Sequence, residues 1–190
     1  LSCAYYLALT GYRPTVFEKN EKPGGMLTYG IPSYKLEKDV VEEEIDIIRA
    51  LGVEIKCGVE VGKDITLDEL RKDGYEAFYI AIGCQGSRKS GVAGEDADGV
   101  MSAVDILHEI AENHDLDLKG NKTVVIGGGN VAVDVARSTK RCGADVLGMF
   151  CLESREEMPA SEEEIFETED EGIQINNGWG VKEILAENGK

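Results

Sequence analysis

Short apolar runs alternate with longer, periodically apolar segments along this 190-residue chain. Runs of β-branched and aromatic residues predict buried strands, and apolar residues three or four positions apart predict helices. The predicted strands span residues 15–18, 53–57, 77–82, 124–126, 144–151, 173–175 and 181–185. The predicted helices span residues 1–10, 36–51, 66–73, 101–112, 131–141 and 162–171. Because strands and helices alternate in both halves, the sequence predicts an α/β fold with two parallel, doubly wound sheets.

Two segments interrupt the pattern. Residues 21–36 contain two glycine-rich turns and two prolines, so no regular structure is expected there. A long loop inside a compact domain is more often functional than a simple connection. Residues 84–98 lose periodicity and gain glycine, and we expect two domains to meet there, residues 1–88 and residues 89–190.

The segment TVVIGGGNVAVDVAR, residues 123–137, has the pattern of a buried strand, a glycine turn and a helix start. Gly127 can turn the chain sharply, and Gly129 lacks the Cβ that would keep phosphates away from the backbone. The small Ala132 lets the helix lie close to the strand. The helix start then offers free N–H groups and a positive dipole end to an anion. The pattern is typical of a dinucleotide site, although similar turns also occur without any ligand.

Composition narrows the possible functions. The net charge of -17 argues against a nucleic-acid partner, because little positive charge is available to neutralise phosphates. No run approaches the roughly 20 apolar residues of a membrane span, so no membrane association is expected. The chain begins within a predicted helix and not with Met, so we expect a fragment of a longer protein. No signal peptide is expected, because neither an n-region nor a cleavage site is present, and the scattered cysteines favour the cytoplasm.

The cysteines and histidines suggest no reactive site. The five cysteines form no C-x-x-C pair, which favours reduced thiols acting as small buried hydrophobes and excludes the spacing of an iron–sulfur cluster. His108 and His114 stand outside any motif and are expected to be structural or on the surface. Thr66–Glu69 and Ser161–Glu164 have capping-box spacing, and the acidic run 162–171 is expected to be a solvated helix face.

Five stretches in order, KPGGMLTYGIPSYKL, LGVEIKCGVEVGKDITLDEL, YIAIGCQGSRKSGVAGEDADGV, VVIGGGNVAVDVAR and SREEMPAS, together resemble the glutamate synthase small-subunit family. These are FAD- and NAD(P)-dependent reductases related to dihydropyrimidine dehydrogenase and adrenodoxin reductase. The resemblance implies two Rossmann-like domains, with an NAD(P) domain (89–190) inserted into a partial FAD domain (1–88). It also implies hydride transfer between NADH or NADPH and FAD, followed by electron transfer to an iron–sulfur domain or subunit.

The resemblance also assigns cofactor-binding residues. In the FAD half these are Glu18, Lys19, Gly25, Met26, Leu27, Lys35, Val61, Ala81 and Gly83. In the nicotinamide half they are Gly128, Gly129, Asn130 and Val131. The residue pattern itself adds Gly127 at the turn, Glu153 as an acid about 20 residues past the helix start, and Arg155 close to it. Glu18 ends a predicted strand, where an acid can accept a hydrogen bond from an adenosine ribose, and Val61 would meet the adenine of FAD. No catalytic acid, base or metal ligand is assigned, because the cofactors carry the chemistry.

One departure from the family pattern bears on the choice of nucleotide. Leu152 and Glu153 stand where NADPH-dependent members typically carry two arginines. A carboxylate there repels a 2′-phosphate and accepts hydrogen bonds from ribose hydroxyls, so the sequence predicts NADH over NADPH, with Arg155 near enough to offset part of the repulsion.

The FAD half is incomplete in this sequence. The FAD glycine loop, the first strand of its sheet and the family's C-terminal flavin motif are not among the 190 residues. We therefore expect this chain to hold FAD weakly or not at all, although the full-length protein needs it.

Two other functional classes share parts of the pattern. A nucleotide-cofactor methyltransferase also uses a glycine turn and a strand-end acid, but it does not explain Glu18 or the loop at residues 21–36. A non-catalytic nucleotide-binding or interaction module whose flavin site has been lost would keep the glycine turn and use its acidic surface to bind a partner.

Overall fold

The computed structural model describes residues 1–87, 89–113 and 116–186, and the chain forms two compact units, Leu1–Cys84 and Gln85–Lys190. Both units combine helices with a parallel sheet, so the α/β prediction is confirmed. The first unit contains α1 (Ser2–Leu9), β1 (Thr15–Glu18), α2 (Met26–Tyr29), α3 (Lys38–Ala50), β2 (Glu54–Cys57) and α4 (Leu67–Lys72). The second contains α5 (Ala103–Glu112), β3 (Lys122–Ile126), α6 (Asn130–Arg141), β4 (Asp145–Cys151), a 3-10 turn (Arg155–Glu157), α7 (Glu162–Asp170) and β5 (Ile175–Asn177).

In the first unit, β1 and β2 pair in parallel from Thr15 opposite Glu54 to Glu18 opposite Cys57. Helix α3 buries Val41 and Ile45, the apolar stripe that its spacing predicts. Helix α4 begins at the predicted capping box, in which Thr66 and Glu69 each bond the other's backbone N–H.

Two predictions for this unit are wrong. Residues 77–82 form no strand, and the Ile82 side chain is 84% exposed. Residues 77–82 make no backbone hydrogen bond within the described part of the chain. An apolar run without a partner strand cannot join a sheet. The loop at residues 21–36 includes one helical turn, α2, which the Thr28 hydroxyl stabilises by donating to Pro23 O at 2.7 Å.

The sheet of the second unit has the strand order β3-β4-β5, with all strands parallel. Helix α6 packs on β3 and β4. The core between them contains Val133, Ala136 and Met149, which are all inaccessible to solvent. The prediction of a strand at residues 181–185 is wrong, because only one bridge pairs Ala93 with Glu183 there.

Other sequence expectations have mixed outcomes. The five cysteines are all free, but only Cys151 is buried and Cys84 is exposed, so the prediction of buried thiols is wrong for Cys84. Ser161 caps α7 by accepting from Glu164 N at 3.3 Å, which forms half of the predicted capping box. None of the described helices is both long and apolar enough to cross a membrane.

A buried arginine joins α6 to α7. Arg137 is 5% exposed and forms ion pairs with three carboxylates of the acidic run, those of Glu164, Glu167 and Glu171. Arg141 also contacts Glu171, at 2.7 Å. The acidic run is therefore not simply a solvated face, because one side of it neutralises a cation that α6 carries into the interior.

Replacing Arg137 by methionine keeps much of the side-chain volume and removes the charge. We expect the free energy of unfolding to fall by about 2–3 kcal/mol, which is less than for a fully buried pair because the carboxylates are partly exposed. Urea denaturation measures the change. The matched control is Arg155→Met, which breaks an exposed ion pair with Glu169 of α7, the helix that also carries the partners of Arg137. It should lower the free energy of unfolding by under about 1 kcal/mol. Equal losses in the two variants would contradict this role of Arg137.

The pH dependence of stability gives a second comparison of Arg137→Met with the unmodified chain. Burial raises the pKa of the Glu171 carboxyl, but hydrogen bonds from Arg141 and Arg137 outweigh burial and lower the pKa overall. A carboxyl whose pKa is lowered by folding stabilises the fold above its unfolded pKa, and this stabilisation is lost as the pH falls through the folded value. Stability should therefore fall less steeply on acidification in Arg137→Met than in the unmodified chain.

Candidate functional site

The turn after β3 brings the start of α6 against the sheet. Gly127 has φ +139° and donates its N–H to Phe150 O at 2.9 Å. A Cβ on Gly127 would lie 3.2 Å from the Cβ of Ala132. A larger residue at either position would push the helix away, so these two small residues fix how closely α6 approaches the strand.

The first turn of α6 is open. Gly129 occupies the N-cap position without a side-chain cap, and its carbonyl accepts from Ala132 N at 2.9 Å and Val133 N at 3.2 Å. Within the described residues, the N–H groups of Gly129, Asn130 and Val131 have no hydrogen-bond acceptor. A Cβ on Gly129 would meet nothing within 4 Å. Free donors, open space and the positive end of a 12-residue helix together suit an anion.

Glu153 lies beside this turn. Its carboxylate oxygen Oε2 is 3.1 Å from the point where a Cβ on Gly128 would stand. The backbone carbonyl of Glu153 accepts from Asn177 Nδ2 at 3.1 Å and from Gly178 N at 3.2 Å, which fixes the residue at the carboxyl end of β4. The carboxylate itself makes no ion pair with any residue that the structure describes. An acid therefore faces the glycine turn with its acceptor oxygens available.

The segment before α7 supports the turn from the other side. Ala160 N donates to Gly128 O at 3.0 Å, and Ser161 N donates to Asn130 Oδ1 at 2.9 Å. The Asn130 side chain therefore connects the turn to the segment before α7. Only the backbone N–H of Asn130 is available to a ligand. Sequence reasoning did not identify Ala160, Ser161 or Asn177 as supports, because backbone-mediated contacts between distant residues leave no signal in one sequence.

Cys151 lies beneath the turn, and its thiol is expected to be unreactive. A Cβ on Gly128 would be 3.0 Å from the Cys151 Cβ. Burial raises the pKa of the Cys151 thiol, and the nearby charge of Glu153 raises it further. The thiol therefore stays protonated near neutral pH and acts as a packing group.

Arg155 and His108 each lie next to a carboxylate of a helix. Arg155 is exposed and forms an ion pair with Glu169 at 3.0 Å. His108 lies on α5, where its Nδ1 is 3.6 Å from a Glu112 oxygen on the same helix. His114 falls outside the described residues. Among the side chains described, no three His, Cys, Asp or Glu groups gather as metal ligands.

In the first unit, part of the predicted FAD set shares one sheet edge. The Glu18 carboxylate accepts from Asn20 N at 2.9 Å, and the Glu18 carbonyl accepts from Val59 N at 3.0 Å. The segment leading to Val61 therefore lies beside the end of β1. Lys19 is exposed at the same strand end.

The loop that contains Gly25, Met26, Leu27 and Lys35 is held by a residue that sequence reasoning missed. The ammonium of Lys38 donates to Leu27 O at 2.8 Å and to Ile31 O. Burial lowers the pKa of Lys38. Leu27 also lines an apolar groove of about 550 Å³ together with Tyr5 and Ile48. The remaining predicted FAD residues, Ala81 and Gly83, lie in the exposed irregular segment.

Comparison with known proteins identifies the family. The sequence pattern described as pyridine nucleotide-disulphide oxidoreductase matches residues 1–190. Similar proteins include the NADP(+)-dependent formate dehydrogenase subunit beta of Moorella thermoacetica, with 42% identity over 100% of this chain and 27% of that protein. The glutamate synthase [NADPH] small chain of Escherichia coli K12 is 35% identical over 92% of this chain and 39% of its own length.

Solved structures agree on the fold. FprA from Mycobacterium tuberculosis in complex with NADPH superposes with a TM-score of 0.69 at 22% identity, covering 89% of this chain and 44% of that one. Thioredoxin reductase of T. acidophilum gives a TM-score of 0.66 at 21% identity, covering 100% and 64%. This chain spans about a quarter to two fifths of the two relatives above. It belongs to the pyridine nucleotide-disulphide oxidoreductase family, and within that family it is similar to the small chain of glutamate synthase.

Proposed function

We propose that this chain is part of a flavin-dependent oxidoreductase that passes hydride between NAD(P)H, preferentially NADH, and FAD, and then passes electrons to an iron–sulfur partner. The observation that carries the proposal is the open first turn of α6 beside Glu153. That arrangement offers three free backbone donors, Gly129 to Val131, and one available carboxylate, which are the groups that a nucleotide pyrophosphate and its ribose need.

In this proposal the chain binds and orients the nucleotide. The N–H groups of Gly129, Asn130 and Val131 donate to the pyrophosphate, and the space where Gly129 lacks a Cβ lets the phosphates come close. Glu153 accepts from the ribose hydroxyls. When bound, the nicotinamide and the flavin supply the hydride donor and acceptor, so no protein acid or base is required.

The preference for NADH is proposed from charge. Glu153 faces the turn, and a 2′-phosphate there would bring negative charge against a carboxylate. Arg155 already pairs with Glu169, so using it to neutralise a phosphate would break that pair. Similar proteins are named for NADP(+) or NADPH, so this preference would set the present chain apart from them.

The flavin half of the proposal assigns residues 1–88 to a partial FAD domain and residues 89–190 to the NAD(P) domain. Glu18, Lys19 and Val61 would receive the adenosine part of FAD. The pyrophosphate and flavin of FAD would contact two segments, the loop at Gly25–Leu27 with Lys35 and the segment from Ala81 to Gly83. The proposed iron–sulfur partner is supported by relatives that are named as one subunit of an assembly, and the free cysteines fit a cytoplasmic setting.

Gly129→Ala tests whether a phosphate occupies the open turn. Alanine fits the free chain, since nothing lies within 4 Å of the added Cβ, so the melting temperature should stay unchanged. The Kd for NADH should rise roughly tenfold or more, because the methyl group would occupy the space proposed for the pyrophosphate. Titration calorimetry gives the Kd of the unmodified chain and of Gly129→Ala, and thermal unfolding gives their melting temperatures.

The matched control is Gly86→Ala, where a Cβ also meets nothing within 4 Å. It should change neither quantity. Unaltered NADH affinity in Gly129→Ala would refute pyrophosphate binding at this turn, and absence of NADH binding in the unmodified chain would refute the proposed function.

Glu153→Arg tests nucleotide choice. Replacing the carboxylate by a guanidinium should move the NADPH:NADH affinity ratio toward NADPH by roughly tenfold or more, since repulsion of the 2′-phosphate becomes attraction. Calorimetric titration with both nucleotides gives the ratio. Glu156→Arg makes the same charge change at an exposed neighbouring position and should leave the ratio nearly constant. If Glu153→Arg leaves the ratio unchanged, the assignment of Glu153 is wrong.

A further inference from the structure

Helix α7 is attached to α6 at two points that lie on one face of α6. Arg137 follows Asn130 by two helical turns, so the two side chains project from the same face. The Asn130 oxygen Oδ1 accepts at 2.9 Å from the N–H of Ser161, the N-cap residue of α7. The Arg137 guanidinium pairs with three carboxylates further along α7. One side chain of α6 therefore holds the start of α7, and another holds its body.

The two helices also share the core of the second unit. Val133 of α6 has no exposed surface, Ile165 of α7 is 3% exposed, and both belong to one buried apolar cluster. Side chains packed at interior density resist small shifts of one helix along another. The position of α7 therefore fixes where the segment that precedes it lies against α6.

That preceding segment reaches the glycine turn through main-chain groups. Ala160 N donates to Gly128 O at 3.0 Å, one residue before the Ser161 contact. The peptide unit that contains the Gly128 carbonyl also contains the N–H of Gly129, the first of the three free donors. Because a peptide unit is planar and trans, holding the carbonyl toward α7 directs this N–H to the opposite, open side. The Asn130 contact likewise holds the residue that carries the second donor.

We propose that α7 sets the affinity of the glycine turn for the dinucleotide, with Asn130 and Arg137 as positioning residues whose side chains do not touch the ligand. The inference rests on the proposed function, because it takes the pyrophosphate to bind the three free N–H groups. Main-chain donors that are already held in one direction bind an anion more tightly than donors that must be ordered during binding. Arg137 acts at the greater distance, by keeping α7 and the segment before it in place.

Ser161→Pro tests the contact at the start of α7. It removes the N–H that bonds Asn130, and the φ of Ser161, -64°, is one that proline adopts without strain. The Kd for ADP-ribose, measured by titration calorimetry on the full 190-residue chain, should rise about 3- to 10-fold, because the donors must then be ordered on binding. Asn130→Ala removes the acceptor of the same bond and should have an effect of similar size. Because both substitutions break one bond, the double variant should bind little more weakly than either single variant.

The matched control is Ser102→Pro, at the N-cap of α5. Ser102 has φ -72°, and its hydroxyl caps α5 as that of Ser161 caps α7. The N–H of Ser102 has no acceptor within the described residues. Both proline variants should lower the melting temperature, since each removes an N-cap hydroxyl, but only Ser161→Pro should raise the Kd. Titrations below the melting transition keep every variant folded, so a merely structural role of Ser161 would leave the Kd unchanged.

Arg137→Met tests the second point of attachment. It should raise the Kd for ADP-ribose about twofold or more in the otherwise unmodified chain, because α7 is then held less firmly. It should have little further effect when combined with Ser161→Pro, since part of the connection through which Arg137 acts is already lost.

The outcomes separate this inference from the proposed function. ADP-ribose that binds the unmodified chain, Ser161→Pro and Asn130→Ala with the same Kd overturns the positioning role and leaves the nucleotide site standing. Fully additive losses in the double variant overturn it as well, because the two residues would then act separately. Failure of both ADP-ribose and NADH to bind the unmodified chain overturns both proposals. If Ser161→Pro does not fold, the Kd values of Asn130→Ala and Arg137→Met decide the matter.

Discussion

The short distance between α6 and its sheet is the constraint on which the candidate site depends. A helix start offers free donors to an anion only where no side chain covers them, and here the backbone passes from β3 into α6 through three glycines. The Gly127–Ala132 contact sets the approach of the helix, and the carbonyl of Gly128 is held by Ala160. The donors are thus fixed in direction before any ligand arrives, which lowers the entropy cost of binding one.

Several further contacts connect this turn to the rest of the second unit. Asn130 and Gly128 bond the segment that precedes α7, and Arg137 draws the carboxylates of α7 onto α6. A charged cluster that the turn never touches thereby helps to position the residues that support it. Backbone hydrogen bonds also join the ends of β4 and β5, since the carbonyls of Cys151 and Glu153 accept from the N–H groups of Trp179 and Gly178.

Sequence patterns were sufficient where a local rule decides the structure. The glycine turn, the Thr66–Glu69 capping box and the apolar stripe of α3 each follow from residues close together in the chain. Residues 77–82 show where such rules end. Their composition is that of a buried strand, but strand formation requires a hydrogen-bonding partner, and composition does not reveal whether one is present.

The site was only partly accessible from sequence for the same reason. The sequence predicts Glu153 because it stands where NADPH-dependent members of the family typically carry arginine. No sequence pattern marks Arg137 as buried, because its three carboxylate partners lie 27 to 34 residues away in the chain. Lys38 likewise bonds carbonyl groups, and every residue has a carbonyl, so no sequence pattern marks the acceptor.

The central claim is that the first turn of α6 binds the pyrophosphate of a nicotinamide dinucleotide. Backbone amide NMR tests it most directly, by comparing titrations with ADP-ribose and with adenosine, which lacks the pyrophosphate. The account predicts that ADP-ribose causes large shifts at the amides of Gly129, Asn130 and Val131 and that adenosine does not. Shifts confined to other parts of the chain, or equal shifts with both ligands, would contradict it.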